Sequence, residues 1–588
     1  MENALNQTLE PKDKLDTAAV VNGPEGEIFD WSAVDWPIVE GQVKRLRQRI
    51  FTASDAGDLA KVRNLQKLML KSWSNTLMGV RRVTELNAGR LTAGVDGVSI
   101  VTPWAKTALA VWIHRQSSGW QALPVKRVFI PKANGKQRPL GIPVIVDRVL
   151  QARVLNALEP EWEARFEPKS YGFRPGRGCQ DAIAAIYLTL KGPNPQRRWV
   201  LDADLTAAFD RIDHDRLLEV LGTFPARERI AEWLKAGTVD AGRFVPSVEG
   251  TPQGGVISPL LLNIALHGME QAAGVRYRKL DTTHAESRAN SPVLVRYADD
   301  LVCLCHSRDQ AFGIKAQLED WLRPRGLSFN EDKTRVVDID TGFDFVGFNV
   351  RRYDNKLLIK PSPTAMKRVR ERLRSEMRAL RGANALAVIR KINPIIRGWS
   401  AYYRTVVSSE AFSSLDDYMW KLTYKWAKSS HQNKSRNWIV NQYFGQFNRF
   451  RQARWVFGDR TSGAYLTKFS WTKIVRHQMV AGTSSIDDPT LTSYWAERRH
   501  APSLPVNNIV LRLLKAQNGR CHTCTELLLA ADTPPQNPQE WEQWCRVTRK
   551  AMTVQSVVVE REHGPSDTSR LVHVHCRQRD SPRPKGLA

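Results

Sequence analysis

The chain reads as a multidomain α+β protein, and three observations predict it. Between residues 125 and 350, short strand-like runs alternate with helical stretches across Gly/Pro turns. From Pro361 only helical periodicity remains, and beyond about residue 515 the composition shifts to Cys, His and Pro in short segments. At 588 residues the chain exceeds one ordinary core and has room for roughly three or four domains.

Taken in order, residues 1–80 comprise a polar leader to about residue 30, then, from Trp36, a basic helical extension. Residues 81–360 carry the mixed pattern. Residues 361–480 carry two apolar stripes at helical spacing. The first is Val369, Leu373, Met377 and Leu380, and the second is Phe412, Leu415, Met419, Leu422 and Trp426. Residues 481–515 form a linker, and 516–588 a Cys/His-rich tail.

Lys and Arg number 87 against 60 Asp and Glu, a formal net charge of +27. An excess of that size points to a polyanionic partner. Arg370, Arg374 and Arg378 flank the first stripe, together with Lys367 and Arg381, and are expected to meet the phosphates of such a partner. The amino terminus has neither signal-peptide nor transit-peptide character, and no apolar run approaches the ~20 residues of a membrane span. No membrane partner is expected. Seven Cys in so long a chain make no disulfide framework, so a reducing, intracellular setting is expected.

The acidic clusters carry the chemistry. In "VLVRYADDLVCLC" two adjacent aspartates, Asp299 and Asp300, sit at the tip of an apolar hairpin, where like charges repel and resist ionisation. Upstream, "WVLDADLTAAFDRIDHDRL" places Asp204 at the end of a strand. Together these elements can assemble three carboxylates, and Mg²⁺ favours a few carboxylates plus phosphate oxygens. Two such ions about 4 Å apart activate a 3′-hydroxyl and stabilise leaving pyrophosphate. Around them, "RVFIPKANGKQRPLGIP" clusters Lys132, Lys136 and Arg138 about an Asn-Gly turn, a basic hairpin suited to a triphosphate. "EGTPQGGVISP" offers a Gly pair for close approach to a nucleotide. In "GLSFNEDKTRVV", Lys333 stands where an ammonium could protonate departing pyrophosphate.

The ordered series "SYGFRPGRGCQDAI", "DADLTAAFD", "TPQGGVISP", "RYADDLV", "NEDKT" and "FDFVGF" resembles the reverse transcriptases encoded by group II introns. The resemblance covers roughly residues 35–515. It implies a right-hand polymerase, with fingers and palm followed by an α-helical thumb/maturase domain over 361–480, where "IIRGWSAYYRTVVSSEAF" carries the likeness. By that resemblance Asp204, Asp299 and Asp300 hold the two Mg²⁺. Phe209 is the bulky gate against a ribose 2′-OH, Gln253 contacts the templating pair, Lys132 and Arg138 bind the triphosphate, and "FVGF" (345–348) is the primer grip.

The implied activity is RNA-directed DNA synthesis from dNTP, combined with binding of intron RNA and of a DNA target in splicing and retrohoming in a bacterial cytosol. Three alternatives stay open: a related enzyme of host defence or repair, a splicing factor with a dead polymerase, and an RNA-copying RNA polymerase. The intact Asp204, Asp299 and Asp300 oppose the second, and Phe209 opposes the third.

In the tail, Cys521 and Cys524 of "CHTC" and His573 and Cys576 of "HVHC" have the spacing of one structural Zn²⁺ site, with Cys545, His563 or His575 as substitutes for His573. The tail resembles an HNH endonuclease that has decayed. Glu562 and His563 lie in "EREHG", but Arg570 stands where that pattern uses Asn and Arg577 where it uses His. A zinc-stabilised DNA-binding remnant is expected, preceded by a DNA-binding linker around "SYWAERRH".

Overall fold

The structure is a computed structural model. It describes residues 29–577, apart from 88, 132–136, 280–284, 449, 500–505, 507, 518, 524–527, 529–534, 562–563 and 575. The leader, Lys132, Lys136, Cys524, Glu562, His563 and His575 therefore lie outside the described residues. The chain forms two compact units that do not follow the expected chain divisions. The first comprises residues to Arg174, Leu201–Val336 and Ala481–Leu491; the second comprises Pro175–Val200, Val337–Val480 and the chain from Thr492.

In the first unit, the basic extension forms the helices Trp36–Asp55, Leu59–Lys71 and Trp73–Arg81, capped by Asp35, Asp58 and Ser72. They surround the helix Ile145–Glu163, which is buried over nearly its whole length. Arg47 ties this base together. Its guanidinium reaches Asp487 and Glu159, both at 2.7 Å. Four strands make the fingers sheet: β1 (Val125–Pro131), β2 (Gln137–Ile142), β4 (Thr238–Asp240) and β5 (Arg243–Val245), in the order β2-β1-β4-β5. The β1/β2 hairpin is antiparallel, pairing Ile130 with Arg138.

The palm sheet has the order β10-β3-β9-β8, from β3 (Trp199–Asp204), β8 (Val293–Tyr297), β9 (Asp300–Cys305) and β10 (Arg335–Asp338). Ahead of β8, the short strands β6 (Tyr277–Lys279) and β7 (Ala285–Ser287) pair with each other. The β8/β9 hairpin of the palm sheet is apolar because it is covered on both faces: Val293–Val295 and Leu301–Cys305 are all buried. Helices Ser258–Ala265 and Arg308–Leu322 bury Leu260–Leu262, Ile264, Ile314 and Leu318 in this core.

In the second unit, β11 (Phe343–Phe345), β12 (Phe348–Tyr353) and β13 (Lys356–Pro361) form an antiparallel sheet. The turn between β11 and β12 has Val346 at φ 41° and Gly347 at φ 85°, and it is held from outside. Tyr402 Oη donates to Val346 O at 2.8 Å and Tyr403 Oη to Gly347 O at 3.1 Å.

Helices Pro363–Ala379, Ala385–Tyr403, Ser409–Ser430 and Arg436–Tyr443 follow. The stripes are buried as expected at Val369, Leu373, Met377, Phe412, Leu415, Met419 and Trp426, whereas Thr423 rather than Leu422 is buried in the second. The helical pattern does not run to residue 480. Past Tyr443 the chain makes a short pair, β14 (Phe444–Gly445) with β15 (Val456–Phe457), then largely irregular structure, because Gly445, Gly458 and Gly463 interrupt helix formation.

Asp181 anchors that irregular stretch, accepting from His477 Nε2 and Val480 N, both at 2.8 Å. The tail is not a detached module. Its helix Pro538–Ala551 packs on Ala385–Tyr403, where Gly398 leaves room for the Glu542 backbone and Arg372 pairs with Glu542 at 2.7 Å. Among the described residues, no helix is long and apolar enough to cross a membrane.

Candidate active site

The three expected carboxylates meet at the end of the palm sheet. β3 delivers Asp204. The β8/β9 hairpin turns through Ala298 and Asp299, with Tyr297 paired to Asp300 and Ala298 in the left-handed region at φ 58°. The segment after Gly326 closes on the end of β3: Asn330 N donates to Asp204 O at 2.8 Å and Thr206 N to Ser328 O at 2.9 Å. That pairing brings Lys333 Nζ to 2.5 Å from Asp204 Oδ2.

The electrostatics follow from this crowding. Burial pushes the Asp300 carboxyl up to about 8, helped by the charges of Asp299 and Asp204. Burial also raises Asp299, and Asp204 adds to the effect, while Arg138 and Lys333 oppose it. Asp299 and Asp300, whose ionisation is opposed by burial and by neighbouring charge, make with Asp204 a site that a cation relieves.

Arg138 and Gln253 also converge. Arg138 Nε donates to Gln253 Oε1 at 2.9 Å, and Gly141 N donates to Gln253 O at 2.8 Å. The glycine pair is also needed by the packing of the chain itself. A Cβ on Gly254 would meet Gly141 O at 2.7 Å and one on Gly255 would meet Ser258 Oγ at 2.6 Å, so both glycines admit neighbouring protein on that side. Phe209 is buried in the short helix Ala208–Arg211, its carbonyl accepting from Thr251 N at 2.6 Å. Beside it, β1, β2 and residues 245–252 wall a cleft of about 490 Å³.

Several supporting residues were not singled out from the sequence. Arg296 is fully buried in β8, and its Nη1 donates to Asn263 Oδ1 at 2.9 Å and to Ala298 O at 3.3 Å. Asn263 Nδ2 in turn donates to Gly172 O at 2.8 Å, and Gly172 lies against the Ala298 backbone where a Cβ would overlap it. The signal was present: a lone arginine inside an apolar strand must find partners.

Away from the palm, Arg370 Nη2 donates to Ser414 Oγ at 2.7 Å and Arg374 Nε to Tyr418 Oη at 3.1 Å, while Arg378 is exposed. In the tail, Cys521, His573 and Cys576 are buried with their ligand atoms all within 4.8 Å of one another. Arg570 Nη1 lies 2.9 Å from His522 Nδ1, and its Nε donates to Gln555 Oε1 at 3.1 Å.

A palm sheet that gathers three acids beside a basic fingers hairpin defines a template-directed nucleotide polymerase. Comparison with known proteins agrees and is more specific. Residues 130–350 match the reverse transcriptase (RNA-dependent DNA polymerase) family, residues 31–112 the N-terminal domain of reverse transcriptase, and residues 366–444 the group II intron maturase-specific domain. The chain is 35% identical to protein YkfC of Escherichia coli over 53% of its own length and 88% of that protein. It is 29% identical to the group II intron-encoded protein LtrA of Lactococcus lactis, over 39% of this chain and 47% of LtrA. It is 27% identical to a 91 kDa protein in the cob intron of Schizosaccharomyces pombe, over 60% of this chain and 52% of that one. Its match thus spans about half the length of those two intron-encoded relatives. The chain belongs to the family of group II intron-encoded reverse transcriptases and maturases, a class of RNA-directed DNA polymerase.

Proposed function

We propose that the protein copies RNA into DNA at the Asp204–Asp299–Asp300 site, binds intron RNA through its helical region, and uses both in splicing and in target-primed retrohoming. The observation that carries this reading is the convergence of the three carboxylates at the end of the palm sheet with Lys333, which stands in the turn just before β10. The donor set, three crowded acids of which one is pushed up to about 8, fits Mg²⁺. When bound, a pair of such ions supplies charge stabilisation at the attacking and leaving oxygens.

The chain's own groups do the rest. Asp299 and Asp300 are presented by a tight turn, and Lys333 offers a proton to the departing pyrophosphate. Arg138 faces the phosphates, prepositioned by Gln253, and Phe209 lies under the sugar. In the tail, Cys521, His573 and Cys576 gather their ligand atoms within 4.8 Å of one another, a donor set suited to one structural Zn²⁺, with Cys524 as the fourth ligand. The ion would stabilise the hairpin of β16 (Met552–Arg561) and β17 (Gly564–His573), and Arg570, committed to His522 and Gln555, fits a DNA-binding remnant better than a nuclease.

Primer extension on an RNA template with dNTP and Mg²⁺ tests the central claim. Asp299→Ala and Asp300→Ala should each abolish extension and leave RNA binding nearly unchanged. Extension near the wild-type rate would sink the assignment.

A further inference from the structure

Phe173 adopts a conformation that a phenylalanine rarely takes. Its φ is 62°, in the left-handed region, and its side chain is 44% exposed. A residue so placed is held by its surroundings, and here they are explicit. Tyr171 N donates to Arg296 O at 2.9 Å, Asn263 Nδ2 donates to Gly172 O at 2.8 Å, and Gly172 sits against the Ala298 backbone. The turn 171–173 is thus built onto the same strand that presents Asp299 and Asp300.

What the turn delivers is the Phe173 ring, edge-on to the Phe209 ring with centroids 6.0 Å apart at 70°. The Phe209 backbone is fixed independently by Thr251 N, but nothing in that bond fixes where its ring stands. We propose that Phe173 is a specificity-determining positioning residue: its ring braces Phe209 and so sets how closely Phe209 approaches the sugar 2′ position of the incoming nucleotide. Because the brace and the carboxylate turn share one anchor, the gate keeps its register with the reacting atoms. A displacement of under an ångström is enough to change discrimination. The inference rests on the reading of Phe209 as the residue that meets the sugar.

The test is single-nucleotide incorporation of dNTP and rNTP by the full chain on an RNA template, resolved into kcat and KM. The variants are Phe209→Ala, Phe173→Gly, Phe173→Asn and the double Phe173→Gly/Phe209→Ala. Glycine and asparagine both tolerate a left-handed φ, so either reports on the ring with the backbone kept, and Asn serves if the Gly variant folds poorly. Phe209→Ala should raise the rNTP/dNTP ratio of kcat/KM by about tenfold or more. Phe173→Gly should raise it several-fold, chiefly through a lower KM for rNTP, with kcat for dNTP little changed. The double variant should discriminate no worse than Phe209→Ala alone, since the brace acts only through the gate. If Phe209→Ala shifts the ratio while both Phe173 variants keep the wild-type value, the brace is overturned and the gate stands. If Phe209→Ala leaves the ratio unchanged, the gate falls and the brace with it.

Discussion

The ammonium of Lys333 stands 2.5 Å from Asp204 Oδ2, across a gap of more than a hundred residues in sequence. The hydrogen bond to Asp204 holds the Lys333 proton more firmly than in free lysine. Lys333 is therefore charged throughout the neutral range and stands beside the carboxylate cluster. Lys333→Met should slow the chemical step by about 10²–10³-fold while primer–template affinity is retained. Rapid-quench incorporation of one dNTP separates the two, and a chemical step at the wild-type rate would exclude proton transfer by Lys333.

Arg296 should prove as necessary as the acids it supports. Its guanidinium is the buried link between Asn263 and the Ala298 carbonyl of the turn. Arg296→Met removes that link and a buried charge that neighbouring Glu167 and Glu270 face, at a cost of about 3 kcal/mol. Arg296→Lys keeps the charge but loses the planar fork, so it should recover stability more than activity. Thermal unfolding and primer extension on both variants would show it. Full activity in the Met variant would mean the turn holds itself.

Stability should fall as pH rises from about 4.5 toward neutrality, and Glu270 should be a cause. Burial pushes its carboxyl up to about 7, reinforced by the Glu167 charge, while Tyr277 and Lys169 oppose. Relative to its ordinary 4.5, the folded state holds the proton more tightly than the unfolded chain. Folding is thus favoured at low pH, and that contribution is lost between about pH 4.5 and 7. Glu270→Gln keeps the shape and an acceptor for Tyr277. It should raise Tm above about pH 7 and match the wild type near pH 4.5. Parallel Tm–pH curves for the two proteins would contradict this.

Metal content should track the tail cysteines. Elemental analysis of the full chain should find about one zinc, lost in Cys521→Ser/Cys576→Ser. Chelation should lower the unfolding temperature of the wild type and not of the variant. Target DNA incubated with the ribonucleoprotein and Mg²⁺ should stay uncut on the strand opposite the inserted intron. A nick there that disappears with His563→Ala would restore a working endonuclease.

RNA affinity should drop steeply with salt, and the three helix arginines should not contribute alike. Arg374 and Arg378 are both exposed, but Arg374 is bonded to Tyr418 and the half-buried Arg370 to Ser414. Arg378→Gln should flatten the log–log salt slope by about 0.7–0.9, the share of one neutralised phosphate. Arg370→Gln should mainly lower thermal stability. Equal slopes for Arg378→Gln and wild type would show that Arg378 lies on a solvated face.

The sequence by itself determined the chemistry of the palm. Asp204 ends a strand, Asp299 and Asp300 tip a hairpin, and apolar alternation and helical stripes mark the elements that carry them; each is a local pattern, set by the strand or helix period. Only the tertiary structure decided what stands behind them. Asn263, Gly172 and Arg296 meet from three separate segments to hold the Asp turn, and Phe173 reaches Phe209 from a turn whose left-handed backbone no periodicity announces. Gly254 and Gly255 make room for neighbouring protein, and Gly398 admits a tail helix from far along the chain. Period and propensity report on neighbours a few residues apart. Side-chain hydrogen bonds, ring contacts and close backbone approaches join residues far beyond that reach, and the choice among them is made by packing.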